Sequence, residues 1–274
     1  MQDRSSPSTL HDPHATETGP GGPVLTMKDV TLAFGPKIIQ SHIDLSVRRG
    51  SIFAVMGGSG CGKSTLLKSM IGLLRPSCGT FMLDGEDYWA GNDRRRTELN
   101  HRFGVLFQNG ALWSSMTLGE NVALPLQMFT ALDSASIRQM VSLKLALVGL
   151  LDAIDLMPSE ISGGMRKRAG LARALALDPD ILFFDEPSAG LDPITSARLD
   201  DLILNLRDGL GATIVIVSHE LPSLFRIADD GIFLDAVSKR PIAHGSPKQL
   251  RDRCTDPQVH AFMNRQRNEK DSRP

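Results

Sequence analysis

The 274-residue chain has no apolar run approaching the ~20 residues that a membrane-spanning helix needs. Any work at a membrane would therefore run through a partner. Cysteine is scarce, with Cys61, Cys78 and Cys254 far apart. That excludes a disulfide framework and a zinc site, and cytosolic thiols are the simplest reading. Charge of one sign is lacking as well, because 30 Lys and Arg face 31 Asp and Glu. Such balance argues against a domain-wide nucleic-acid footprint, although a small local patch remains compatible. Residues 1–23 contain Pro, Gly, Ser, Thr and His without a hydrophobic stretch. They are read as a disordered leader and not as a signal peptide. The tail ending in Arg273-Pro274 is read the same way. The remaining apolar content is enough to bury a full core, as one large domain or a domain with an inserted lobe.

Between the tails, short β-branched and aromatic runs alternate with helical patterns. Val30–Phe34, Asp44–Val47, Ile52–Met56, Thr80–Leu83 and Val105–Phe107 read as strands. Asp180–Phe184 and Thr213–Val217 are continuously apolar and read as central strands, with Gly231–Leu234 weaker. Helices are expected over Lys63–Leu74, Ser134–Val148, Gly164–Leu177 and Ile194–Asp208. The alternation points to an α/β fold with a mostly parallel sheet covered on both faces. Residues 109–160 interrupt it and read as helical throughout, an inserted lobe. Arg94, Arg95 and Arg96 read as a solvated face with no assigned role.

Chemistry enters at Gly57-Gly58-Ser59-Gly60-Cys61-Gly62-Lys63-Ser64-Thr65, directly behind the run Ile52–Met56. Glycines let backbone N–H groups turn inward around an anion, and the following helix adds its N-terminal dipole. Lys63 is placed to reach the β- and γ-phosphates of a nucleotide, and the Ser64 hydroxyl to hold Mg²⁺. This loop alone leaves kinases, GTPases, helicases and transport ATPases open. Ile181-Leu182-Phe183-Phe184-Asp185-Glu186 narrows the field, since two carboxylates emerge at the C-terminal end of a buried strand. Asp185 is suited to Mg²⁺ through water and Glu186 to orienting an attacking water. Ser162-Gly163-Gly164 then opens a second helix, with Ser162 as N-cap and glycines exposing its first N–H groups.

Ile161-Ser162-Gly163-Gly164-Met165-Arg166-Lys167-Arg168 resembles the signature loop of ABC-transporter ATPases. The rest of that pattern follows in order over roughly residues 25–245. Gln108 matches the Q-loop, Ser188-Ala189-Gly190-Leu191-Asp192 the D-loop, His219 the switch histidine, and Phe34 the aromatic that stacks on adenine. The resemblance implies a RecA-like P-loop NTPase core, an N-terminal antiparallel β subdomain and an inserted α-helical subdomain over residues 109–160. The whole ATPase domain would span 24–248, with 249–274 a C-terminal extension, partly disordered. It implies ATP and Mg²⁺ as cofactors, with Ser64, Gln108 and Asp185 at the metal. It further implies a head-to-tail dimer, in which ATP at Gly57–Thr65 of one copy is closed over by Ser162, Gly163 and Gly164 of the other. Asp192 would link the sites, His219 would contact the γ-phosphate, and Gln108 would report to the helical lobe docked on a membrane permease. Met165 stands where Gln is commonest, Ile161 where Leu is, and Phe34 where Tyr is. Met165 and Ile161 remove no phosphate donor, and Phe34 keeps the stacking face while losing a hydroxyl.

Phe107–Thr117, Glu120–Leu126, Ser162–Arg168, Asp192–Ser196 and Asp256–Phe262 are similar to the Mla-type ATPases. That likeness implies phospholipid trafficking with an MCE-domain partner, at the cytoplasmic face of the inner membrane, with room for a small regulatory subunit. The counterpart of Asp256–Phe262 helps ATPase subunits grip each other. Other ABC importers or exporters are the alternatives, then non-transport ABC ATPases of DNA repair or translation. Cys61, inside the phosphate loop, is expected to be shielded from thiol reagents by nucleotide.

Overall fold

A computed structural model describes residues 22–264. The leader reading for residues 1–21 and the tail reading for 265–274 lie outside the described residues. Pro23 already belongs to a strand.

Two sheets form the frame. In the first, β1 (Pro23–Phe34) pairs antiparallel with β2 (Lys37–Arg48) and with β4 (Cys78–Leu83), and the short β5 (Glu86–Asp87) closes the edge. β1 and β2 run longer than sequence alone suggests. Asp29 and His42 both take positive φ (47° and 52°), which disrupts the alternation that marks a strand. His42 Nδ1 lies 2.7 Å from Asp29 Oδ1, so the two irregularities sit side by side.

The second sheet has the order β10-β9-β3-β8-β7-β6. Its strands are β3 (Ile52–Gly57), β6 (Phe103–Leu106), β7 (Ile181–Asp185), β8 (Thr213–Val217), β9 (Asp230–Leu234) and β10 (Pro241–His244). All neighbours pair parallel except β10, which runs antiparallel at the edge. Strands buried on both faces need continuous apolar sequence, and β3, β8 and the first four residues of β7 are buried throughout.

Alternate residues of these strands feed two apolar layers. Phe53, Val55, Phe183, Val215 and Val217 face the antiparallel sheet and α1 (Lys63–Met70). Ala54, Met56, Leu182, Phe184, Ile214 and Ile216 face the other way, onto α5 (Gly163–Ala174), α6 (Pro193–Leu210) and α7 (Leu221–Ile227). Each fully buried Leu, Ile, Val or Phe contributes roughly 1.5–3 kcal/mol, so the central strands are rigid mounts for what leaves their ends.

The lobe over residues 109–160 is less helical than expected. After α2 (Asp93–Asn100) and β6, the chain runs through turns until α3 (Leu118–Phe129) and α4 (Ser134–Leu147), and then through two short 3₁₀ turns. The turn segment is pinned by buried Asn121. Its Nδ2 donates to the carbonyls of Trp113, Met116 and Thr117, and its Oδ1 accepts from Trp113 N–H. A single side chain thus does the work that helical bonds would otherwise do.

The boundary at 248 falls inside α8 (Pro247–Arg253). Leu250 of α8, with Val259 and Met263 of α9 (Pro257–Met263), is buried in the same layer as the central sheet. Phe262 meets Phe233 edge-on, with ring centroids 5.1 Å apart. Residues 249–263 are therefore continuous with the core, not an appendage, and the apolar face of Asp256–Phe262 is turned into this chain's own interior.

Candidate functional site

Register places the chemistry. Val55 of β3 and Asp185 of β7 both pair with Val217 of β8, so three adjacent strands end level. From those ends leave the Gly57–Thr65 loop, the Asp185-Glu186 pair and Ser218-His219. Open α/β sheets bind ligands at this edge.

In the loop, Gly62 caps α1 with φ 99°, and Gly57 sits at φ 142°. A Cβ at Gly57 would lie 2.4 Å from Leu234 O, whereas one at Gly58 or Gly60 would meet nothing within 4 Å. The loop is thus tight beneath and open above, the shape of a cradle. Lys63 folds back over it, donating from Nζ to the carbonyls of Gly57 (2.8 Å) and Gly58 (2.9 Å). Ser59 and Ser64 are exposed, as is Phe34 at the end of β1. Cys61 differs from expectation. Its thiol is 2% exposed, packs in the apolar layer under the loop, and is pushed up by burial, with Lys63 opposing. The protein itself already buries it before any nucleotide is bound.

Asp185 is half-buried. Burial and adjacent Glu186 raise its carboxyl above the usual range, while Lys68 and Lys63 pull it down. A carboxylate so placed gains from a cation. Among the described residues no group of three or more His, Cys, Asp or Glu gathers. A metal here would draw on one carboxylate, the Ser64 hydroxyl, the Gln108 amide and phosphate oxygens, a donor set that suits Mg²⁺. The residues present fit that ion.

Glu186 has φ 49°, a left-handed conformation that costs an ordinary residue roughly 1–2 kcal/mol. Its N–H donates to Val217 O at 2.8 Å, which ties the turn to β8. Its Oε1 lies 2.8 Å from His219 Nδ1, and His219 N–H donates to Oε2 at 3.3 Å. Gln108 is exposed at the end of β6. The structure therefore brings Lys63, Asp185, Glu186 and His219 to one edge.

Ser162, Gly163 and Gly164 stand apart from that edge. Ser162 Oγ accepts from Met165 N–H at 3.2 Å, and Asp192 caps α6 by accepting from Ile194 and Thr195 N–H. Ser162 and Gly164 line a groove with Leu191 and Thr195, bounded by α4, α5 and α6.

Sequence reasoning missed the cations of α5. Arg166 donates to Ile161 O, Lys167 to the carbonyls of Glu186 and Ala189, Arg168 to those of Val148 and Gly149, and Arg173 to those of Gly110 and Ala111. Gln40 was missed too. Fully buried in β2, it donates to Cys61 O (2.7 Å) and Asp235 O (2.8 Å), bracing the cradle from below. A polar residue inside an apolar strand pattern was the only available signal.

This fold and site define a P-loop nucleoside triphosphatase. Comparison with known proteins narrows the class. The family described as "ABC transporter" matches residues 40–189. The Intermembrane phospholipid transport system ATP-binding protein MlaF of Escherichia coli (strain K12) is 44% identical over 240 residues, 88% of each chain. The Probable ribonucleotide transport ATP-binding protein mkl of Mycobacterium tuberculosis (strain ATCC 25618 / H37Rv) is 40% identical over 253 residues, covering 92% of this chain and 70% of that one. A dimeric post-hydrolysis structure of the ATP-binding cassette MJ0796, bound to ADP and Pi, superposes with a TM-score of 0.73 at 28% identity, covering 80% of this chain and 97% of that one. The chain belongs to the ABC transporter family, as an ATP-hydrolysing subunit.

Proposed function

We propose that this cassette hydrolyses ATP between two copies of itself and powers phospholipid trafficking through a membrane permease and an MCE-domain protein. The level ending of β3, β8 and β7 carries the catalytic half of this reading. ATP would stack on Phe34 and lay its phosphates in Gly57–Thr65. Lys63 would trade the carbonyls of Gly57 and Gly58 for phosphate oxygens, a stronger charge-assisted pairing. Ser64, Asp185 and Gln108 would hold Mg²⁺, which neutralises charge on the β- and γ-phosphates. Glu186 orients the attacking water and takes its proton, while His219 holds that carboxylate in place and donates toward the γ-phosphate.

The second helix start completes the site in trans. Ser162, Gly163 and Gly164 offer N–H groups with no acidic residue in the first turn, and Arg166 is tied to Ile161 O beside them, which suits a lid over an anionic nucleotide held elsewhere. Asp192, at the adjoining helix start, would couple the two sites. Identity to MlaF over most of both chains supports lipid cargo. No described helix is long and apolar enough to cross a membrane, in keeping with peripheral attachment at the cytoplasmic face.

The test is affinity purification of the tagged full-length chain from membranes. Co-purification of a permease with an MCE-domain protein and phospholipid is expected. A permease that moves ribonucleotides, the cargo named for mkl, would replace the lipid reading, and nucleic acid or ribosomes would end it.

A further inference from the structure

Glu186 is useful only if its unfavourable backbone conformation is held. Its N–H is tied to Val217 O in β8, and its carbonyl needs an equal anchor. That anchor comes from α5. Lys167 Nζ donates to Glu186 O at 3.2 Å and to Ala189 O at 2.6 Å, gripping both ends of the turn that runs into the Ser188–Asp192 segment. The side chain is 5% exposed, and the Ala189 N–H also donates to Glu186 O, so the turn is closed around one buried ammonium. A buried cation is costly unless hydrogen-bonded, so its presence calls for a reason. Burial lowers its proton affinity, and the nearby Glu186 carboxylate opposes that.

We propose that Lys167 is a positioning residue for ATP hydrolysis: it couples the helix that starts at Ser162-Gly163-Gly164 to the backbone turn that aims Glu186. The proposal rests on Glu186 being the group that orients the attacking water. Lys167 lies one turn into α5, five residues beyond Ser162. Movement of that helix start, as it closes on a partner's nucleotide, is carried by a rigid helix to the carbonyls of Glu186 and Ala189. A cassette whose lid is open then leaves its own Glu186 less well aimed, and hydrolysis follows closure. Arg166, Arg168 and Arg173 grip other segments, so this link belongs to Lys167 alone among the described α5 cations.

The test uses the full-length chain in its transporter complex, with Lys167→Met, Lys167→Gln, Glu186→Gln and the Lys167→Met/Glu186→Gln pair. Affinity for a non-hydrolysable ATP analogue, KM, kcat and thermal midpoint are measured for each. Lys167→Met is expected to lower kcat about 10²-fold, the cost of a reacting group displaced by ~1 Å, with analogue affinity and KM within a few-fold of the parent. Lys167→Gln is one atom shorter and reaches a single carbonyl, so its kcat should fall between the two. The double variant should be no slower than Glu186→Gln, because both changes remove the same contribution. A Lys167→Met kcat within about twofold of the parent, or losses that multiply in the double variant, would overturn the proposal. If Lys167→Met does not fold, a Lys167→Gln kcat at the parent level overturns it instead. A Glu186→Gln variant that turns over like the parent removes the Glu186 reading itself, a separate result.

Discussion

Two of the described helices have glycine at their N-terminal end, and they start differently. α1 begins at left-handed Gly62, with Lys63 arched over its own loop and Asp185 and Glu186 at the end of β7, which β8 separates from β3. α5 begins at a Ser162 side-chain cap followed by Gly163 and Gly164, and its cations all reach backward or inward to backbone carbonyls. In the proposed function the first start gathers the groups that hold a triphosphate and orient the attacking water. The second offers N–H donors, an Arg166 guanidinium tied to Ile161 O, and a connection to the rest of the chain, with no carboxylate in its first turn. An anion-binding terminus becomes catalytic through what surrounds it, and that difference is why α1 is proposed as cradle and α5 as lid.

Substitutions can pull these roles apart. The largest effect belongs to the cradle side: Glu186→Gln should cut turnover ~10²–10⁴-fold while ATP stays bound. Steady-state hydrolysis within a few-fold of the parent would remove that residue from the chemistry. Lys63→Ala should weaken nucleotide binding by roughly 10–10²-fold, the worth of a charge-assisted pair. Undiminished affinity by calorimetry would count against the cradle. On the lid side, Ser162→Ala removes an N-cap worth about 1 kcal/mol, so α5 should loosen and turnover fall. Analogue binding to the isolated chain should not change, and a matching loss there would erase the distinction between the helices.

Asp235 gives a pH-dependent measure of the cradle's underside. Burial pushes its carboxyl up, but bonds from Ser238, the Val237 backbone and the Gln258 amide outweigh that and hold it at about 2. Its folded value lies below the ordinary ~3.9, so the stability it confers is present above pH ~4 and drains away as pH falls toward 2. Asp235→Asn should flatten the thermal midpoint across that window, and an unchanged slope would refute the assignment. The smallest effect is expected at Cys61. Its buried thiol should label slowly with or without ATP, whereas strong protection by nucleotide would restore the original expectation.

The cradle and the carboxylate pair were legible because each is contiguous in sequence and each follows a continuously apolar strand. The bracing was not. Gln40 reaches Asp235 across 195 positions and Arg173 reaches Gly110 across 63, and no local pattern announces such bonds. Lys167 stands between Arg166 and Arg168 with nothing in the sequence to distinguish it, although 5% exposure sets it apart. The lobe looked more helical than it is because Asn121 satisfies the turn at Trp113–Thr117 through tertiary bonds. Asp29 and His42 hid the true lengths of β1 and β2 by breaking their alternation.

The central claim is that cradle and lid of one ATP come from different copies. Two differently tagged populations test it, one carrying Ser59→Cys and the other Ser162→Cys, both with Cys78→Ser and Cys254→Ser and with Glu186→Gln to slow turnover. The account predicts a crosslink joining the two tags that forms with Mg-ATP and fades without it. Crosslinking no greater with ATP than without nucleotide would contradict it.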